Sequence, residues 1–395
     1  MLRKLFVFHL IPFLLALSLL TLFLFFTSSE NFSFKTEIVE GKQVRKEGYI
    51  PNLNSSLQDR IDYWANLTDQ DQITIYGSSE FTTTPYLPYH FIPDSFHVPT
   101  LGVGHAYHQC FSILLELLAF YDELDQNKIV IILSPGWFGI GGTNSQAFVE
   151  FARPELLGNV LKSENVPLAY KRWLGDYVDY HAKNLSSIGP EMNALLQLKQ
   201  HLSSTIRNTI RLNKFYPASK TVQYQVKATA FEKRTCIPDY AGIQRRLQNQ
   251  FKSVVTNNRL WVNDEYYTKY LIEENGTEKR GKLVPVDLAT DREYQDFQLI
   301  LQLIREKRLN AAFVIQGLNP HYYENIKTYD PLVQTLVDDI SKANCAVLNL
   351  WDSDTSTYEP GVLKDIMHMG DFGWMKVNEF LVEQFKLASD ESDPL

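Results

Sequence analysis

Ile129-Val130-Ile131-Ile132-Leu133 is an unbroken apolar run that stops at Ser134-Pro135-Gly136-Trp137-Phe138, and it is one of a set. Ile73-Thr74-Ile75-Tyr76 ends in Gly77-Ser78-Ser79-Glu80, and an extended stretch from Phe96 to Leu101 ends in Gly102-Val103-Gly104. Ala311 to Ile315 and Ala346 to Leu350 repeat the pattern later in the chain. Helical spacing fills the gaps, through Leu114, Leu115, Leu117 and Leu118, then Asp296 to Lys307, Leu332 to Ala343, and Gly370 to Leu387. A strand that is apolar at every position has no face to give to water, so it must be covered on both sides. Such strands, separated by helices, form a parallel sheet between two helical layers. The expected fold class is α/β, with functional residues at the C-terminal ends of the strands.

The rhythm is broken between about 146 and 295, where helical periods, many Gln, Asn, Lys and Arg, and no buried strand read as a helical insertion. Residues 71–387 form the α/β body around it, 27–70 a stalk with a lead-in helix over Asn54 to Leu67, and 388–395 an acidic tail. Leu5 to Phe26 is nearly all apolar, long enough for a helix to cross the hydrocarbon core. Arg3 and Lys4 precede it, and the Thr27-Ser28-Ser29-Glu30-Asn31 that follows carries no convincing Ala-x-Ala cleavage site. The expectation is an uncleaved transmembrane anchor over 1–26, N-terminus cytoplasmic and body extracytoplasmic. With 46 acidic residues against 38 Lys plus Arg, the net charge of −8 argues against a nucleic-acid binder. Three distant cysteines, Cys110, Cys236 and Cys345, offer neither a disulfide framework nor a CxxC metal site.

Chemistry points to two places. A Ser on a tight turn directly after a strand, as in Gly77-Ser78-Ser79-Glu80, is exposed beside backbone N–H groups that can hold an oxyanion. Alone, such a turn is more often just a turn and helix cap. Near the C-terminus, Asp365-Ile366-Met367-His368 sets a carboxylate and an imidazole three apart on one turn, where the first can fix the tautomer of the second. A surface Asp and a helix-end His is the plain alternative; together with the Ser turn the pair is far more specific.

Ser after the first strand, a Gly turn after the second and a C-terminal Asp-x-x-His resemble the layout of the SGNH (GDSL-type) hydrolases, a flavodoxin-like fold. In that layout Gly77-Ser78-Ser79 stands where Gly-Asp-Ser does, which selects Ser79 as nucleophile, with His368 as base and Asp365 orienting it. The resemblance narrows to the DltD family through Gly77-Ser78-Ser79-Glu80, Ser134-Pro135-Gly136-Trp137-Phe138, Tyr294-Gln295-Asp296-Phe297-Gln298-Leu299, Leu318-Asn319-Pro320-His321-Tyr322-Tyr323 and Lys364-Asp365-Ile366-Met367-His368-Met369-Gly370, followed by Gly373-Trp374. It implies D-alanylation of teichoic acids on the outer face of the membrane, by transfer through an acyl-Ser79 ester. Implied partners are a membrane-bound O-acyltransferase, a teichoic-acid-like polymer and, on a scaffold reading, the D-alanyl carrier protein. No cofactor or metal is implied. The backbone of Ser79 and of the turn holding Gly102 and Gly104 would supply oxyanion donors. Where an Asn donor is usual in SGNH hydrolases, after the third strand, this chain has Ser134-Pro135-Gly136-Trp137.

Other residues carry two readings each. Glu80 either binds the D-alanyl ammonium or caps a helix. Gln109 contacts substrate or caps; Trp137 packs or walls the acyl pocket; Asn319 bonds substrate or caps a turn. Trp374 likewise packs or walls the acyl pocket. His105 and His108, with His97, lack metal-ligand spacing and read as satisfied or pocket-lining. Arg245-Arg246 and Lys233-Arg234 meet a polyanion or form a solvated face. Three functions therefore stand: an O-acyltransferase, a thioesterase or esterase using the same acyl-Ser, and a non-catalytic scaffold.

Overall fold

The computed structural model describes residues 72–81, 84–152, 154–182 and 238–388, together with the backbone of strands at 31–37, 48–50 and 221–227. The anchor over 1–26, the lead-in helix, Lys233-Arg234, Cys236 and the tail beyond 388 lie outside the described residues. Among the described residues no helix is long and apolar enough to cross a membrane.

The strands are β1 (Asn31–Glu37), β2 (Gly48–Ile50), β3 (Ile73–Tyr76), β4 (Thr100–Val103), β5 (Lys128–Leu133), β6 (Thr221–Lys227), β7 (Asn310–Ile315) and β8 (Ala346–Asn349). The helices are α1 (Pro88–Phe96), α2 (Cys110–Ala119), α3 (Ser145–Phe151), α4 (Pro154–Lys162), α5 (Leu168–Ala182), α6 (Tyr240–Ser253), α7 (Arg292–Lys307), α8 (Asp330–Lys342) and α9 (Asp371–Gln384). One sheet runs β2-β4-β3-β5-β7-β8 and every neighbouring pair in it is parallel. Without the short edge strand β2 this is the five-stranded order 2-1-3-4-5 of flavodoxin-like sheets. The chain leaves β3 for β4 on one side and then crosses to β5 on the other. The switch point therefore lies at the end of β3, directly before Ser78 and Ser79.

Register follows the apolar pattern. Ile75 stands beside Gly102 and Val130, Val130 beside Ala312, and Ala312 beside Ala346. That row belongs to the sheet face on which Tyr89, Ile92 and Phe96 of α1 and Trp374, Val377 and Leu381 of α9 pack, all buried. On the other face, Phe297 of α7 meets Phe313 edge-on at 6.1 Å. The α7 helix begins at Arg292, earlier than the expected Asp296, because Asp291 caps it: Asp291 accepts the Tyr294 N–H with one carboxylate oxygen and the Gly139 N–H with the other, both at 2.8 Å. That ties the helix start to the loop after β5.

Two expectations change. The stretch Phe96 to Leu101 is not one strand: Phe96 ends α1, His97 takes a left-handed conformation, and pairing begins only at Thr100. Pro88 opens this helix, where a missing N–H does no harm, and its buried face lies at 89, 92, 93 and 96. Nor is 146–295 wholly helical. Strand β6 pairs with β1 in a separate two-stranded sheet, and 254–291 is mostly irregular chain. There the carboxylate of Asp264 gathers Thr256, Asn257 and Asn258 by hydrogen bonds, so these polar residues close loops instead of covering a helix face.

The chain divides into two units. One holds Phe148–Gln225, where Phe148 and His181 stack at 4.4 Å. The other contains the six-stranded sheet and everything described below.

Within that second unit Glu293 is fully buried and accepts the Cys110 N–H at 2.7 Å. Burial first, then the charge of Asp296, push its carboxyl up to about 8 against an ordinary 4.5, the Cys110 N–H pulling the other way. Between those values the folded chain holds a proton that the unfolded chain has released, so raising the pH through that window removes stability. Glu293→Gln keeps an acceptor for Cys110 and is expected to flatten this fall. Thermal unfolding of both proteins at pH 5 and pH 8 checks it; equal losses would contradict it.

Candidate active site

The turn after β3 is built by close backbone approach. Gly77 continues the ladder with its N–H on the Val103 carbonyl at 2.9 Å. Its own carbonyl accepts from Nδ1 of His108 at 2.9 Å, and that ring stacks near Tyr76. Gly104 lies against this carbonyl with φ +150°, and a Cβ there would collide with it. The turn after β4 is thereby locked onto the turn after β3. Gly102 is different: it is a strand residue inside β4, with the ring of Tyr89 over its Cα where any Cβ would clash. The expectation that it sits in the turn is corrected, and its backbone belongs to the sheet.

Of the two serines, Ser78 is buried, its hydroxyl donating to the His105 carbonyl at 3.2 Å and its N–H to Glu80 Oε2 at 2.5 Å. Ser79 is partly exposed, and its Oγ lies 3.1 Å from Nε2 of His368. His368 Nδ1 is 2.8 Å from Asp365 Oδ2. The structure thus brings Ser79, His368 and Asp365 into one hydrogen-bonded line. Asp365 and His368 do not ride a helical turn. They occupy a tight loop closed by the Leu363–Met369 bridge and by the Lys364 N–H on the His368 carbonyl, just before α9. The other oxygen of Asp365 accepts the Met367 and His368 N–H groups at 2.9 and 2.7 Å. Burial pulls the Asp365 carboxyl upward, but the bonds from His368 and these N–H groups outweigh it and hold it below the usual carboxylate range. Asp365 is therefore an anion that fixes Nδ1–H and leaves Nε2 to accept.

Ser79 and His368 open on a cleft of about 440 Å³. Trp137 lines it from the short turn Pro135–Trp137 after β5, as do Gln109 and Glu80. Asn319 does not. It is fully buried, donating to the Leu260 carbonyl at 2.7 Å and accepting the His321 and Tyr322 N–H groups. The turn-cap reading of Asn319 holds and the substrate-contact reading is corrected. Trp374 lies in the core. Among the described residues no group of three or more His, Cys, Asp or Glu could hold a metal ion. Arg245 and Arg246 are exposed on α6.

Sequence reasoning missed part of the wall. Lys282, Leu283 and Val284 enter from the irregular segment, and Gln316 from the end of β7. Gln316 pairs its N–H with the Leu133 carbonyl at 2.8 Å and its side-chain amide with the Met367 carbonyl, next to His368. The signal for Gln316 was its place at a strand end; Leu283-Val284, an apolar pair in a polar stretch, gave a weaker one.

The family model described as DltD protein matches residues 50–386. A Protein DltD of Bacillus subtilis (strain 168) is 22% identical over 375 residues, covering 90% of this chain and 92% of the relative. The Protein DltD of Lacticaseibacillus rhamnosus is also 22% identical, over 88% of this chain and 81% of its own length. That of Staphylococcus aureus (strain NCTC 8325 / PS 47) is 22% identical over 69% of this chain and 70% of its own. With the match running from the edge strand through α9, the chain belongs to the DltD family.

Proposed function

We propose that this chain is a membrane-anchored, extracytoplasmic O-acyltransferase that places D-alanyl groups on hydroxyls of a teichoic-acid-type polymer through an ester on Ser79. The observation that carries the reading is the line Asp365–His368–Ser79, 2.8 and 3.1 Å in its two links, opening on a cleft in a member of the DltD family. Nε2 of His368 takes the Ser79 proton as Oγ attacks the donor's acyl carbon, and returns it to the leaving donor group. In the second half the acceptor hydroxyl gives its proton to Nε2 and attacks the ester carbon. Ser79 then leaves and recovers that proton. Asp365 stays ionised throughout and stabilises the imidazolium. The N–H groups of Ser79 and Gly104 are the proposed oxyanion donors, in place of the Asn that the turn after β5 lacks.

The apolar segment Leu5 to Phe26, with Arg3 and Lys4 before it, supports an anchor that leaves the body outside. On that face the donor comes from a membrane-bound O-acyltransferase, and the carrier protein stays on the other side. Incubating the detergent-solubilised full chain with a D-alanyl thioester and glycerol-phosphate oligomers should give a D-alanyl adduct on Ser79 and ester-linked D-alanine on the oligomers, both read by mass spectrometry. An adduct that decays only to free D-alanine would favour the esterase reading. Absence of any adduct would sink the acyl-Ser mechanism.

A further inference from the structure

Beside the nucleophile the cleft holds a group that plain ester chemistry does not use. Glu80 follows Ser79 in the chain, lines the cleft and is 3% exposed. It is the one carboxylate among the described residues lining that cleft; the other ionisable side chains there are Lys282, His368 and the phenols of Tyr107, Tyr323 and Tyr329. Its Oε2 accepts the Ser78 N–H, and no Lys or Arg pairs with it among the described residues. Burial pushes its carboxyl above the ordinary value, while N–H groups of the turn and the charges of His368 and His108 pull it back.

That arrangement is unfavourable in two ways for a simple acyl ester. A carboxylate taken out of water with only backbone donors as partners carries a desolvation penalty. A negative charge next to the carbonyl being attacked also opposes the oxyanion that forms there. Both penalties are offset if the acyl group itself brings a cation. An α-ammonium lies one carbon from the reacting carbonyl, so a group that meets it must stand next to the nucleophile, as Glu80 does. The cleft offers a further buried acceptor in Gln316, 1% exposed, whose Oε1 has no hydrogen-bond partner among the described residues.

We infer that Glu80 forms an ammonium subsite that selects α-aminoacyl donors over acyl donors lacking the amine, with Gln316 as its neutral companion. This rests on the acyl-Ser79 reading above and adds to it the feature of the donor that is recognised. The selection arises because the ammonium neutralises Glu80 in the bound state and screens the developing oxyanion from it.

The test uses the detergent-solubilised full chain and two matched thioesters of N-acetylcysteamine, one of D-alanine and one of D-lactate, which carries a hydroxyl where the amine stands. The rate of adduct formation on Ser79 is followed by mass spectrometry. The wild-type preference for the D-alanyl donor is expected to fall at least tenfold in Glu80→Gln, which retains an acceptor for Ser78. In Glu80→Asp, which keeps the charge, more of that preference should survive. Both variants are checked for wild-type thermal unfolding. A preference unaltered in Glu80→Gln, with both donors slowed alike, would make Glu80 a brace for the turn and overturn the inference while the acyl-Ser79 reading stands. No adduct on wild-type Ser79 from either donor would overturn both. If Glu80→Gln does not fold, a wild-type protein that takes both donors at equal rates overturns the subsite without it, and a marked preference for D-alanine upheld by Glu80→Asp supports it.

Discussion

Ser79→Ala is expected to lower D-alanyl transfer by about 10⁴- to 10⁶-fold while leaving thermal unfolding unchanged. The fold should tolerate it because Ser79 is only partly buried and its hydroxyl bonds outward to His368, so no buried polar atom is orphaned. The turn is held by its neighbours instead: Gly77 on Val103 and His108, Ser78 on His105 and Glu80. Without Oγ there is no acyl-enzyme, and His368 has nothing to deprotonate in the first step. Since the three residues act as one unit, adding His368→Ala to Ser79→Ala should cost almost nothing more. Single-turnover transfer of labelled D-alanine to glycerol-phosphate oligomers measures both variants. A Ser79→Ala protein that keeps a tenth of the wild-type rate would refute the assignment.

Trp374→Ala is expected to remove about 3–5 kcal/mol of stability, a large part of the roughly 5–15 kcal/mol available to a folded domain. Its ring is fully buried where α9 meets the sheet, stacked on Phe81 at 6.1 Å, with Phe81 edge-on to Tyr89 at 5.6 Å. Deleting it leaves a cavity that Ile75, Val130 and Val314 cannot fill, because the sheet fixes their backbones. Phe81 also closes against Gly77, so the void opens under the nucleophile's turn. Activity should fall in the folded variant as well as stability. Urea unfolding gives the first effect, and the rate per folded molecule gives the second. A loss below about 1 kcal/mol would mean that the helix shifts inward to fill the space.

Much of the sheet was legible because apolar runs bounded by Gly and Pro leave few options. Ile73 to Tyr76, Ala311 to Ile315 and the strand through Ile129 to Leu133 fall where the pattern puts them, within a residue. Ser79, His368 and Asp365 were legible because each stands in a short local signal at a strand end or before a helix. What eluded the sequence depends on distance in the chain or on a shared period. Phe96 reads as part of the strand because it stands with Val98 and Leu101 in one apolar stretch, although it is the last residue of a helix. Gly102 reads like a turn glycine, but what it accommodates is Tyr89 across the sheet face. Lys282 to Val284 reach the cleft in irregular chain held by Asn325, which pairs with Leu283 from 42 positions away, and no periodicity marks that path. Asn319 bonds to Leu260, 59 positions away, so its structural task is invisible locally.

The hydrogen bond between Ser79 and His368 joins positions 289 residues apart. Loop closure over that length carries an entropic cost of about 5 kcal/mol from its logarithmic scaling alone, so the bond forms only with the sheet and α9 already in place. During synthesis Ser79 emerges early and His368 late. A chain still being made holds Ser79 without the imidazole proposed as its base, and so does one in which the loop before α9 has come away from the sheet. On the acyl-Ser79 reading proposed above, reactivity is timed by assembly: it begins when the loop before α9 docks beside Ser79 and ends when that loop leaves.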